Sequence, residues 1–504
     1  MNAAFQLMVI TLFAKVLGLI RELIFAYFLG TSAVKDIYVI AALVPLLLSN
    51  FIAGTVTSAF IPRYHAIRRD RGAEEAGAFT ANLVNVLFLL SLVIVVLVAV
   101  FAEPITGLMA RGWSQDQVKE GAVYVQIMVI SLIIISVHSP FNGYLNIHDD
   151  FRSPALTVAI NNIVLIIFCF IAARTGQWLL LAVGFVVAYL LQHLHFIPAL
   201  RKTGYRHRML LSVDDNIRGF LKLSLPMLLS VAAADFAQII DKMIATTLFE
   251  IGGASSLDYA SKLITMVSGI FIASIITAIY PKLSQLAQKQ DRGEFKEEVA
   301  SSIEMLCYLI VPIIIGMAVL AEPIIQLVFQ RGSFTGQDSL VVGGLLRYYS
   351  PSLLGEAIFI FITRVFYSIN DTRIPIRIML VQVAVDIPLN FILSSLIGIN
   401  GLALSSSLGA LAAGAFGLYC YKKRFVRIGL QKISLTLVKI ATASAIMGLA
   451  CYFLYGGLPA LSLYLRLPLV ILAGMLVYFV STALLGINMM GRLMTSLVRK
   501  RRES

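Results

Sequence analysis

The 504 residues are 59% hydrophobic and only 13% charged, against about 45–50% apolar and about 25% charged in soluble chains, which excludes a water-soluble globular fold. A formal charge of +13 would suggest nucleic acid as partner to a soluble protein, but in a membrane protein Lys and Arg set orientation and are read loop by loop, so no nucleic-acid partner is expected. Cys169, Cys307, Cys420 and Cys451 all lie in apolar segments without paired or metal-like spacing and read as small buried hydrophobes.

The N-terminal apolar run is interrupted by Lys15, Arg21 and Glu22, and no small-x-small cleavage site follows, so it reads as a first spanning helix and not as a secretory signal. Stretches long enough for the roughly 20 residues that cross a hydrocarbon core, bounded by Gly, Pro or charge, predict helices over 5–29, 36–62, 79–101, 120–146, 155–173, 178–199, 219–249, 257–280, 300–321, 339–368, 375–397, 400–421, 433–455 and 466–487. Pro45 and Pro351 predict kinks in the two long segments 36–62 and 339–368.

Seven alternate connections, including the C-terminal tail, hold 26 Lys and Arg, whereas the other seven hold only six: Lys35, Arg111, Lys119, Arg174, Arg331 and Arg466. Such alternation puts the basic loops and both termini in the cytoplasm, and it supports a count of fourteen independently of hydropathy.

An internal repeat is visible. Ala102-Glu103-Pro104-Ile105 with Arg111-Gly112 recurs as Ala321-Glu322-Pro323-Ile324 with Arg331-Gly332. In the same order and at nearly the same offset, Phe60-Ile61-Pro62-Arg63 matches Ile279-Tyr280-Pro281-Lys282, Tyr144 matches Tyr367, and Asp36 matches Asp258. The repeat unit holds six helices, an even number, so both copies share one orientation. The fold class expected is therefore an all-α membrane protein of about 14 transmembrane helices, with two parallel six-helix repeats related by a pseudo-two-fold along the membrane normal, plus a C-terminal helix pair. Its divisions are an N-terminal lobe 1–200, a cytoplasmic linker 201–218, a second lobe 219–424, the extra pair 425–490 and a basic tail 491–504.

A cation at mid-bilayer costs at least ~2.5–3.5 kcal/mol on insertion scales, so ionisable residues inside spans face a cavity or a partner. They cluster on the first helices of each repeat: Lys15, Arg21 and Glu22, then Asp36, then Asp235, Asp241 and Lys242, then Asp258 and Lys262, with Arg364 on the tenth helix. Each of them singly also suits an internal ion pair. Together they point to a wet, charged cavity whose cations Lys15, Arg21 and Lys262 suit an anion such as a pyrophosphate. Asp241, Asp386, Asn390 and the Ser405-Ser406-Ser407 run form a second set of hard oxygen donors, suited to sodium or a proton relay, or to polar packing between helices. No GxxxxGK[ST] loop and no HExxH pair occurs, and no cofactor is expected beyond such a coupling ion. The paired acids Asp149-Asp150 and Asp214-Asp215 are the places where a membrane-embedded transferase would have to work. A cation-coupled exporter of amphiphiles and an inactive scaffold are the other readings of the residues.

Leu17-Gly18-Leu19-Ile20-Arg21-Glu22 through Phe28-Leu29-Gly30, Ala59-Phe60-Ile61-Pro62, Tyr259-Ala260-Ser261-Lys262-Leu263, Gly332-Ser333-Phe334-Thr335 and Arg364-Val365-Phe366-Tyr367-Ser368-Ile369-Asn370-Asp371-Thr372 resemble the MviN/MurJ lipid II flippases. The resemblance implies an inner-membrane flippase for a polyprenyl-pyrophosphate-linked saccharide, working by alternating access. It also implies a central cationic cavity, a groove on the last two helices for the lipid tail, and the cell-wall synthesis machinery as a class of partner. On it, Arg21 falls on an essential first-helix arginine, Glu22 and Asp36 on the family's acids, and Lys262 on an eighth-helix arginine. Asp241, Asp386, Asn390 and Ser406 fall near a sodium site of some members, with the acid and amide of Asp386 and Asn390 exchanged. The chain departs from the family where many members carry Arg-Arg-x-Phe-Ala-Glu-Gly, reading Ser49-Asn50-Phe51-Ile52-Ala53-Gly54. A flippase for another polyprenyl-linked oligosaccharide is the neighbouring alternative.

Overall fold

A computed structural model describes residues 3–288, 292–369, 371–425, 430–487 and 489, with the side chains of 3–5, 51–58, 221, 223–234, 292 and 430–433 outside that description. The basic tail and the side chains of most of the Ser49–Gly54 departure thus lie outside the described residues. Every apolar stretch singled out above falls on α-helix, and no strand occurs among the described residues.

The chain forms two compact units. The first takes residues 1–255 together with 331–335. It contains α1 (Ala3–Leu29), α2 (Ala33–Val100), α3 (Ala102–Met109), α4 (Gln115–Met128), α5 (Ser131–Ile147), α6 (Arg152–Thr175), α7 (Leu180–Lys202), α8 (Asp215–Leu248) and the start of α9 (Gly253–Val267). Helix α2 packs on α4, α5 and α8, while α6 lies against α1 and α7. The charged segment between 62 and 79 is helical on either side of a kink at Gly72, which divides α2 into two helices whose Phe60 and Phe79 rings stack with centres 5.9 Å apart. Its Arg, Glu and Ala residues are good helix formers, and helical geometry is lost inside α2 only at Gly72 (φ 90°, ψ 175°), a backbone that suits glycine. The helix passes through Pro45 without such a break.

The second unit takes 256–330 and 336–504. After α9 comes one π turn, Ser268–Ile272, then α10 (Ala273–Gln288), α11 (Arg292–Val319), α12 (Ala321–Phe329), α13 (Gly336–Tyr349), α14 (Ser352–Ser368), α15 (Arg373–Ile397), α16 (Asn400–Phe425), α17 (Leu430–Gly457) and α18 (Leu463–Leu484). Helix α16 packs on α13, α14 and α15, and α17 on α11 and α18. Pro351 marks a bend of 41° between α13 and α14, as expected of a residue that cannot donate to the preceding turn.

The short helices α3 and α12 both begin at the repeated Ala-Glu-Pro-Ile. The residue before each has nearly the same backbone, φ −98°, ψ 20° at Phe101 and φ −101°, ψ 20° at Leu320, so the duplicated motif folds alike locally.

Eleven helices among the described residues are long and apolar enough to cross a membrane, or twelve when the bent pair α13 and α14 counts as one. Rows of large apolar side chains stand exposed along them, such as Val93, Val96, Leu97 and Val100 on α2 and Leu469, Leu472 and Leu476 on α18. Such faces need lipid as their solvent, and the chain is a multi-span membrane protein.

Candidate functional site

In the first unit, α1 is fixed by α6. Asn162 donates to the carbonyl of Ala14 at 3.2 Å, and Gly18, whose missing side chain leaves room 3.5 Å from Asn162, lets the two helices close up. Lys15, between these two contacts in sequence, is exposed, while the far end of α1 is largely buried. Arg21 then turns onto its neighbour, its Nε and Nη2 donating to Glu22 Oε1 at 3.1 and 2.5 Å.

The second cation on Glu22 is Lys35. Ser32 caps α2, its hydroxyl accepting from the backbone N–H of Lys35. The cap places Lys35 in the first turn of the helix, where its side chain lies wholly buried, Nζ 3.6 Å from Glu22 Oε2 and 5.0 Å from the ring centre of Phe25. Two cations therefore share one carboxylate, with Arg21 the partly exposed member. Sequence reasoning missed Lys35 by placing it in an outer loop. The signal that could have found it is the N-cap serine three residues earlier.

Asp36 is fully buried, and both its oxygens are taken. Oδ2 accepts from the Gly252 N–H at 2.6 Å and Oδ1 from the Ser255 N–H at 2.7 Å. It thus serves as an N-cap for α9 from a distant part of the chain. Close by in sequence, Lys242 donates to the Ala254 carbonyl at 2.9 Å, and Asn50 donates to Asp235 at 3.3 Å. Asp241 lies on the same helix, α8.

The repeated Arg-Gly pairs also work in this unit. A side chain on Gly112 would overlap the Thr246 carbonyl of α8, and one on Gly332 would lie 2.2 Å from the Tyr27 carbonyl of α1. Ser333 donates to the Tyr27 carbonyl from its backbone at 2.8 Å and to the Phe28 carbonyl from its hydroxyl at 3.1 Å, so 331–335 covers the end of α1.

In the second unit, Lys262 donates to Asp258 one turn away at 2.7 Å. Glu356 accepts from Ser268 at 2.7 Å, and Ser268 opens the π turn, a distortion common at functional sites. Arg364 lies over the Tyr280 ring, 5.7 Å from its centre. Asp386 and Asn390 meet α16: a side chain added at Gly409 would lie 3.0 Å from Asp386 Cβ, Ser406 is a neighbour of the Asp386 carboxylate, and Ser405 donates to Asn390. Ser407 instead donates to the Tyr348 carbonyl at 2.6 Å. Asp386 Oδ1 is buried with no hydrogen-bond partner. Among the described residues no three His, Cys, Asp or Glu side chains gather to hold a metal ion. One carboxylate among neutral oxygens fits a proton or a monovalent cation better than a divalent one.

The structure therefore gathers Arg21 with Glu22 in one unit and Asp386 with Asn390 and Ser406 in the other, and it makes Asp36 a helix cap.

One acid of each pair satisfies N–H groups at the start of a helix. Asp150 Oδ1 accepts from the backbone of Arg152 and Ser153 at 3.1 and 3.0 Å, and Oδ2 accepts from the Ser153 hydroxyl at 2.7 Å. Burial alone would raise its pKa, but these donors outweigh it and hold the carboxyl below the usual range. Asp214 caps α8 through the Ile217 N–H at 2.9 Å. Neither pair is arranged for transfer chemistry.

Helices α11, α17 and α18 enclose an apolar groove of about 380 Å³, walled by Tyr308, Pro312, Gly316, Met447, Gly474 and Tyr478. The Tyr478 hydroxyl is turned inward onto the Tyr308 carbonyl at 2.6 Å, so the groove surface is left almost wholly apolar.

The family model described as Lipid II flippase MurJ matches residues 25–471. A protein of Bdellovibrio bacteriovorus described as "Probable lipid II flippase MurJ" is 27% identical over 98% of this chain and 97% of its own. One of Thermosipho africanus, described as "Lipid II flippase MurJ", is 26% identical over 85% of this chain and 88% of its own. Among solved structures, a lipid II flippase MurJ in an inward closed conformation superposes with a TM-score of 0.85 at 25% identity, covering 96% of this chain and all of that one. An inward-facing multidrug resistance MATE family transporter of the MOP superfamily shares the fold, with a TM-score of 0.68 at 15% identity over 84% of this chain.

Proposed function

The chain belongs to the lipid II flippase MurJ family, and from that premise we propose that it carries lipid II, the polyprenyl-pyrophosphate-linked cell-wall precursor, from the cytoplasmic to the outer leaflet of the bacterial inner membrane by alternating access. It is a transporter and not an enzyme. The observation that carries the reading is the family match over nearly the whole chain.

The arrangement we propose has fourteen spans, both termini in the cytoplasm and two six-helix repeats about an axis along the membrane normal. The partition of 26 basic residues against six and the like folding of the two Ala-Glu-Pro-Ile motifs support it. Arg21 is the group we assign to the pyrophosphate, since its guanidinium can bind two oxygens at once. Its bond to Glu22, a carboxylate it shares with Lys35, holds it in place and lowers the cost of keeping a cation at that depth. Lys262, held likewise by Asp258, and Lys15 and Arg364 complete the proposed anion-binding set. The groove of α11, α17 and α18 suits the apolar tail. Asp386, Asn390 and Ser406 would hold a coupling sodium ion or proton. Moving one charge through 100 mV supplies ~2.3 kcal/mol, enough to bias the return of the carrier. Wall-synthesis proteins remain the proposed class of partner.

The test is headgroup accessibility of lipid II in vesicles carrying the purified protein. Accessibility should rise well above that of protein-free vesicles and fall back with Arg21→Ala in protein that folds normally. Vesicles indistinguishable from protein-free ones would overturn the reading.

A further inference from the structure

The apolar groove of the second unit ends at Leu320, and Leu320 also lines a second cavity of about 520 Å³. That size lies within the roughly 300–1,000 Å³ of small-molecule sites. Its walls come from the end of α11, the first turns of α12, Arg347 of α13 and the end of α17. Unlike the groove, this cavity is polar and aromatic: Glu322, Gln326 and Arg347 face it together with Tyr452, Phe453 and Tyr455.

The polar groups are built in. Gln326 donates to Glu322 Oε1 at 3.0 Å and so orients the carboxylate. Gly343 lets α13 approach so closely that an added side chain would lie 2.9 Å from Glu322 Cα, and Arg347 follows Gly343 by one turn on the same face. Arg347 spends Nε on the Ala318 carbonyl at 3.1 Å, an acceptor in the last turn of α11, and no acid pairs with its guanidinium among the described residues. Arg466 stacks on the Tyr455 ring at 3.7 Å and donates to the Tyr455 carbonyl, fixing that ring. Tyr452 and Phe453 are left 65% and 69% exposed. An interfacial aromatic belt accounts for exposed rings, but not for an arginine, an acid and an amide converging on them.

From this juxtaposition we propose that the cavity is a second headgroup subsite, taking the anionic saccharide head of a lipid whose chain lies in the adjoining groove. Arg347 binds a phosphate of the pyrophosphate through its two amino groups. Glu322 and Gln326 hydrogen-bond sugar hydroxyls, and the rings of Tyr452 and Phe453 cover apolar sugar faces. The assignment rests on the orientation proposed above, which puts α12 and the α17–α18 turn on the outer side. The cavity then receives the head after translocation and holds it until the lipid leaves.

The test uses the full chain in nanodiscs with a Phe453→Trp reporter, read against the unmodified protein to subtract Trp113 and Trp178. The probe is a short-chain, water-soluble pyrophosphate-linked disaccharide, with inorganic pyrophosphate and the free disaccharide as separate arms. Saturable quenching of the reporter is expected, with affinity lowered at least about tenfold, or ~1.4 kcal/mol, by Arg347→Ala. Arg347→Lys, which keeps the charge and loses the fork, should fall between. Tighter binding of the intact probe than of either fragment supports a combined site. No saturable quenching, or quenching indifferent to Arg347→Ala, overturns the subsite. Lipid flipping is measured in parallel: flipping without probe binding removes the subsite and leaves the transport reading intact, whereas probe binding without flipping keeps the subsite and removes the transport reading.

Discussion

Lys35 Nζ lies 3.6 Å from Glu22 Oε2 while the lysine side chain is wholly buried, and the same carboxylate holds Arg21 through Oε1. The two ends of the Lys35–Glu22 pair are therefore not equivalent. Lys35→Met removes one buried cation and leaves Glu22 still paired with Arg21, so the loss should stay under about 1.5 kcal/mol, as for volume-conserving changes. Glu22→Gln removes the carboxylate that both cations share, and taking one partner from a buried pair costs about 3–5 kcal/mol. Thermal unfolding of the purified variants should rank Glu22→Gln well below Lys35→Met. Equal losses would mean that the cluster is not the shared one described.

Asp36 separates a structural from a ligand-binding role. Its two oxygens satisfy two buried backbone N–H groups, and each group left unsatisfied costs about 1–3 kcal/mol. Asp36→Ala should lower thermal stability by the loss of both bonds and Asp36→Asn by roughly half as much, since an amide offers one acceptor. Transport should follow stability in the same order. A variant Asp36→Asn that unfolds like the parent yet no longer flips lipid would place Asp36 on the substrate instead.

Much of this was legible in the sequence, and the limits are specific. Hydropathy found the helices because spans must be apolar over their whole length, and Pro351 announced the bend between α13 and α14. The short helices α3 and α12 escaped because eight and nine residues are too few to show against the apolar runs that precede them. The second and third helices were legible as separate runs, and the kink at Gly72 does part them, but Arg68 to Glu75 extend the helices on either side of it further than their charge suggests. At the site, Arg21 and Glu22 are visible as charges inside a span, but the partners of Asp36 lie 216 and 219 residues away. No local pattern gives such a pairing. The caps were legible and went unread: Asp214, an N-cap residue type just ahead of the apolar run from 219, marks the start of α8.

Gly332 should tolerate no side chain. Its φ of 58° is left-handed, a backbone costing other residues about 1–2 kcal/mol, and a methyl group there would also meet the Tyr27 carbonyl at 2.2 Å. Gly204 has a similar φ of 77° with nothing within 4 Å, so it isolates the backbone term. Gly204→Ala should cost that term alone. Gly332→Ala should cost more, and should also weaken the seat of 331–335 on α1, seen as faster reduction by an added small thiol of a disulfide formed between Tyr27→Cys and Ser333→Cys. Identical melting temperatures for the two variants would show that the close approach to Tyr27 does not matter.

The connection between α7 and α8 is pinned to α2 by a chain of hydrogen bonds with a titratable link. Asn82 and Ser212 exchange bonds at 2.8 and 2.9 Å, Asn85 donates to the Arg208 and Leu210 carbonyls at 3.0 and 2.7 Å, and Arg208 pairs with Glu74 at 2.6 Å. His207 joins this set through both ring nitrogens, Nε2 to Asn85 Oδ1 and Nδ1 to the Tyr205 hydroxyl, each at 3.0 Å. Because the Asn85 amide nitrogen already donates, its oxygen must accept, which makes Nε2 the protonated nitrogen of a neutral ring. Partial burial holds the His207 pKa below its ordinary value. A group depressed in the latched state favours that state fully above its free value of about 6.5 and withdraws support as pH falls through the lower, latched value. Hydrogen exchange of the 208–212 amides, corrected for the intrinsic rate, should therefore be flat from pH 8 to about 7 and rise below about 6.5. His207→Gln, which keeps a donor to Asn85 without a titrating ring, should abolish that rise. A rise that survives the substitution would move the pH sensitivity elsewhere in the linker, with the Glu74–Arg208 pair the next group to remove.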